Sequence, residues 1–86
     1  MRNFNIQLFE LQDGTYKILL SPSGRGAQGT KDYSTKEAFA SDLKKYLGYA
    51  DRTVEAFFSD PKGSQHNVLQ NHPLTDEDAA YLGWRE

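Results

Sequence analysis

NFNIQLFELQDGTYKILL, residues 3–20, is the stretch that decides the fold. Phe4, Ile6 and Leu8 alternate with Asn5 and Gln7, the period of two that marks a half-buried strand. Asp13-Gly14 follows, the dipeptide suited to the positive φ angles of a type I′ turn, and residues 15–20 resume as a second strand rich in Tyr, Ile and Leu. The stretch reads as an antiparallel hairpin over 3–20. With Asp13 and Gly14 as the two loop residues, Leu11 faces Tyr16, Glu10 faces Lys17, Phe9 faces Ile18 and Leu8 faces Leu19. Those pairs match apolar with apolar or acid with base, which favours the register. The same register places Phe9, Leu11, Tyr16, Ile18 and Leu20 on one face and Phe4, Ile6, Leu8 and Leu19 on the other. Both faces are then apolar, and the second needs cover from the C-terminal segment, a second copy or a partner. A bulge that turns Phe4, Ile6 and Leu8 onto the first face is the alternative.

Downstream, residues 34–58 supply the layer for one face. Phe39, Leu43, Tyr46 and Leu47 recur at i, i+4, i+7 and i+8, one stripe of a 3.6-residue helix, with Lys36, Asp42, Lys44 and Lys45 falling elsewhere. Ser34 or Thr35 is the N-cap; with Ser34 in that role, Glu37 has the capping-box spacing. Gly48 is the stop. A second helix capped by Asp51 or Thr53 carries Val54, Phe57 and Phe58 and ends at Asp60-Pro61, with Lys62-Gly63-Ser64 as a turn.

Between hairpin and helix, residues 21–32 hold three glycines, a proline and two serines and read as a loop. Residues 28–33 can return as a short third strand. Residues 64–73 are ambiguous, with Val68 and Leu69 their only apolar anchors. Thr75 then caps a short helix over 76–82, with acids in its first turn and Leu74 placed to staple onto Ala79. Gly83 ends it, leaving Trp84 to fold back on the core or lie exposed. The fold class is α+β: an N-terminal antiparallel hairpin, extended to three strands if 28–33 pairs, packed against two or three short helices at about 35–47, 52–59 and 76–82. One domain spans 1–86.

Composition narrows the function classes. An 86-residue chain has room for one small core, so its five Phe, five Tyr and single Trp must fill much of it. With 37% hydrophobic and 26% charged residues, the chain lies outside the class that stays disordered. There is no cysteine, which excludes disulfides, thiolate metal sites and cysteine nucleophiles. Lacking an apolar run of the ~18 residues that cross a bilayer, and lacking a signal-peptide core, the sequence reads as cytoplasmic with no membrane role. The net charge of −2 is built from interspersed charges of both signs, so no global field draws the chain to DNA.

The candidate chemical motifs read as ordinary structure. Residues 24–29 spell G-x-G-x-x-G, but the helix starts several residues later and the chain is too short for a dinucleotide fold. Arg25 is the loop's one functional candidate. His66 and His72, with Asp60, lack the spacing of a zinc signature. No serine sits in a nucleophile elbow, and Glu77-Asp78 complements a helix dipole. The expectation is therefore no catalytic residue, no cofactor and no metal.

Two binding classes remain. Tyr49, Phe58, Tyr81 and Trp84 are candidates for a protein-partner or homodimer surface, because apolar bulk exceeds what short helices can cover. Lys17, Arg25, Lys31, Lys44 and Lys45 are candidates for nucleic-acid contacts. Over residues 14–45 six bases face three acids, a modest local excess. The sequence thus points to a small non-enzymatic interaction or accessory domain, with a nucleic-acid-binding module as the alternative.

Overall fold

The computed structural model describes residues 1–23, 28–59 and 66–85, the side chains of 66–68 excepted. Its elements are β1 (Arg2–Glu10), β2 (Tyr16–Pro22), β3 (Gly29–Tyr33), α1 (Lys36–Leu47), α2 (Asp51–Ser59), β4 (His66–Leu74) and α3 (Asp76–Tyr81). The four strands form an antiparallel sheet of order β3-β2-β1-β4. The fold is α+β with an N-terminal hairpin, as the sequence indicates.

The hairpin closes one residue differently from the two-residue reading. Leu11 N–H donates to the Thr15 carbonyl (2.8 Å) and Gly14 N–H to the Leu11 carbonyl (3.1 Å), so Gln12, Asp13 and Gly14 form a three-residue loop. Only Gly14 takes a positive φ, 86°. This is the turn-plus-bulge geometry that spares Asp13 a left-handed conformation. Asp13 instead accepts hydrogen bonds on Oδ1 from the Thr15 N–H (3.0 Å) and hydroxyl (2.6 Å), which hold its carboxyl below the usual range.

That extra loop residue corrects the register and with it the faces. Leu8 lies opposite Ile18, Ile6 opposite Leu20 and Glu10 opposite Tyr16. A one-residue slip exchanges the faces of a strand. Phe4, Ile6, Leu8, Tyr16, Ile18 and Leu20 therefore share one face, and all are buried. The hairpin has one fully buried face that gathers both strands' core residues, and the extra residue that achieves this sits in the turn.

Against that face pack Phe39, Leu43 and Leu47 of α1, Val54 and Phe57 of α2, Ala79 of α3, and Leu82 and Trp84 beyond it. Phe39 is the hub: fully buried, it stacks on Tyr16 (centroids 4.9 Å) and meets Tyr33, Phe57 and Phe58 at tilted or edge angles. Thr35, not Ser34, caps α1, accepting the Ala38 N–H. Gly48 ends the helix in the left-handed region as expected. The turn expected at 62–64 and the helix stop at 60–61 lie outside the described residues.

The ambiguous stretch becomes β4. Between the pairs Phe4/His72 and Ile6/Leu69, β1 has one residue, Asn5, where β4 has two, Gln70 and Asn71. Asn71 takes the bulge at φ 54°, and the Asn5 Oδ1 accepts its N–H (3.2 Å). At the other edge the segment after α3 crosses β3 backbone to backbone. A Cβ on Gly83 would collide with the Thr30 carbonyl, and one on Gly29 with Gly83 and Trp84. Trp84 thereby folds back onto Phe4, ring centroids 5.3 Å apart.

Gly83→Ala is therefore expected to destabilise by about 2 kcal/mol or more, since it adds a backbone collision to a φ of 105°. Gly14→Ala meets open space and should cost about 1 kcal/mol, the left-handed penalty alone. Urea unfolding of the two variants checks the order; equal losses would show that the crossing is not close.

Candidate functional site

The residues named from the sequence do not converge on one surface. Trp84 is buried, with the Arg2 guanidinium 4.7 Å from its ring centre. Phe58 is half-buried against Tyr16 and Phe39, and Lys36 lies over it. Tyr49 is half-buried at the core's rim, where burial pushes its hydroxyl above the usual tyrosine range. Tyr81 alone of the four is exposed, at 46%.

The basic residues are spread as well. Lys17 approaches Asp32 on the sheet (4.0 Å), and Lys44 pairs with Asp51 of α2 (3.2 Å). Lys31 and Lys45 bracket a stacked pair of rings: Lys31 over Tyr81 (4.5 Å), Tyr81 on Tyr46 (4.6 Å), and Lys45 over Tyr46 (5.4 Å). Arg25 lies outside the described residues, as do Asp60 and the side chain of His66. His72 is half-buried on β4.

Sequence reasoning missed two features. The first is Asp42, placed off the apolar stripe by its charge yet 7% exposed. Residues 39, 42, 43 and 46 follow i, i+3, i+4, i+7, so its position was inward; that spacing was the available signal. Tyr33 of β3 and Tyr81 of α3 both donate to its Oδ2, at 2.6 and 2.9 Å. One carboxylate thus ties a strand and two helices together. Burial, then the bond to Asp42, pushes the Tyr33 hydroxyl above its ordinary value; for Tyr81 the bond to Asp42 is the larger cause.

The second is the membership of the opposite face of the sheet, whose existence the sequence indicated with other residues. With the observed register, Asn5, Gln7, Phe9 and Leu11 share it with Lys17, Leu19, Ser21, Thr30 and Asp32. None of these belongs to the buried core, and no described helix packs there. Phe9, Leu11 and Leu19 are half-buried among polar neighbours, a mixed surface of apolar centre and amide, hydroxyl and charged surround. At its hairpin end the face opens into a notch lined by Leu11, Asp13, Thr15, Lys17 and Asp32.

No protein-family model, curated protein or solved structure matches the chain. Among the described residues, no helix is long and apolar enough to cross a membrane.

The Tyr33 bond gives a pH signature with a definite sign. The folded chain holds this proton where the unfolded chain releases it, near the ordinary value of 10.0. The stabilisation is fully present below that pH and fades as pH rises above it. The urea midpoint should fall between about pH 9 and pH 11, and fall less in Tyr33→Phe. That variant should also lose about 1–3 kcal/mol at neutral pH, because the buried bond goes to a carboxylate. Identical alkaline losses in both proteins would refute the assignment.

Proposed function

We propose that the chain is a non-enzymatic cytoplasmic interaction domain whose working surface is the helix-free face of its sheet. One observation carries this reading: among the described residues the helices and the buried core lie on one side, while Leu11 and Leu19, with Phe9 beside them, stand half-exposed on the other. An antiparallel sheet tolerates water on one face, but its outward positions are then normally polar. Apolar side chains at the centre with a polar surround are the composition of a protein-binding patch.

A protein partner fits this face better than a nucleic acid. Lys17, the cation of this face among the described residues, has Asp32 beside it, and Lys31, Lys44 and Lys45 are distributed over β3 and α1. The exposed tyrosine offers no free ring face for a base, since Lys31 and Tyr46 lie against Tyr81. With a net charge of −2, phosphate contacts would need bases gathered on one surface.

Affinity capture from the native host with three baits tests the reading: the wild-type chain, Leu19→Asp on the open face, and Glu37→Lys on the exposed side of α1. The same protein should be retained by wild type and Glu37→Lys and lost by Leu19→Asp, and all three baits should pass through heparin at about 50 mM salt. Retention of one partner by all three baits removes the open face from the account. Salt-dependent retention on heparin selects the nucleic-acid alternative instead.

A further inference from the structure

The pocket between β3, α1 and α3 opens on the helix-covered side of the sheet and borders the notch of the open face at Asp32, Tyr33 and Ser34, which line both. Its volume is about 360 Å³, within the range of small-molecule sites, and Lys31, Asp32, Ser34, Ser41, Asp42 and Tyr81 are among the residues that line it. Asp42 is the one buried charged side chain among the described residues. A carboxylate offers about four acceptor positions on its two oxygens. Both tyrosine hydroxyls go to Oδ2, and no donor among the described residues reaches Oδ1. Every sealed polar side-chain atom among those residues has a partner, so Oδ1 is open to the cavity rather than enclosed.

The same lining carries Lys31, a cation with no ion pair among the described residues. The Lys31 ammonium lies 4.5 Å from the Tyr81 ring centre and 5.4 Å from that of Tyr33. Among the described residues no carboxylate comes within 4.0 Å of it, and Asp32 has its own partner in Lys17. A lone cation entering here meets Lys31, and a lone anion meets Asp42. A molecule carrying both charges engages both walls and satisfies the open oxygen.

We propose that this cavity binds a small zwitterion of the amino-acid type, its ammonium donating to Asp42 Oδ1 and its carboxylate accepting from Lys31. Ser34 and Ser41 supply hydroxyls on the same lining, and Ala38 supplies an apolar contact for the ligand's remaining atoms.

Amide-resolved NMR titration of the full chain tests it, with glycine and L-leucine as probes and methylammonium and acetate as half-ligands. Saturable shifts at Ser34, Ser41, Asp42 and Tyr81 are expected with a millimolar midpoint for the zwitterions and at least about tenfold weaker for either half alone. Asp42→Asn keeps an acceptor for both tyrosines and should weaken binding about tenfold; Lys31→Met, which leaves the buried bonds intact, should do the same. Should Asp42→Asn fail to fold, Lys31→Met decides alone. No saturable shift up to about 50 mM, methylammonium binding as tightly as glycine, or undiminished binding by Lys31→Met would each overturn the proposal.

Discussion

The rung between Leu11 and Thr15, closed over three loop residues, is the constraint on which the rest of the structure depends. Because side chains alternate along a strand, the choice between two and three loop residues decides whether Phe4, Ile6 and Leu8 join Ile18 and Leu20 or oppose them. Three residues unite them. All large apolar side chains of the first strand that point toward the helices then contribute to one core, and a chain of this size can supply only one. Asp13 takes part directly, since its carboxylate fastens Thr15 at the point where the ladder begins.

On that united face α1 acts as the organising layer through two neighbouring positions of opposite chemistry. Phe39 gathers four aromatic rings from β2, β3 and α2. Asp42, less than one turn further on, gathers two hydroxyls from β3 and α3. The apolar contact gives cohesion without direction. The carboxylate gives direction, because two short bonds to one oxygen fix where strand and helices sit relative to each other. A core of hydrocarbon alone would leave α3, six residues long, with little to set its orientation.

Much of this was legible in the sequence, and what was not has physical causes. Period-two and period-3.6 patterns revealed the hairpin and α1, and Thr75 with its following acids revealed α3. The turn misled because Asp-Gly suits both a two-residue loop and the last two positions of a three-residue one, and only the whole-chain core chooses between them. β4 was obscured because an edge strand with a bulge at Asn71 and a proline at 73 breaks alternation. Asp42 was obscured by its charge, although its spacing pointed inward. Of the candidate surface residues, Trp84 and Phe58 went to the core or its rim, for a small domain uses its largest rings where burial is greatest. A second apolar hairpin face was expected, but with the wrong residues: the register puts Phe9 and Leu11 there with Leu19, and moves Phe4, Ile6 and Leu8 to the core.

The meeting of Gly29 and Gly83 bears on how such a chain reaches its native state. Trp84 covers Phe4, and β4 pairs with β1, so partners at nearly opposite ends of the sequence complete the same core. The core over Phe4 is complete only when the segment after α3 lies across the third strand. Bare glycine backbone on both sides makes that closure a docking of two smooth surfaces rather than a threading of side chains. Contacts that join segments so far apart in sequence favour cooperative unfolding and slow closure.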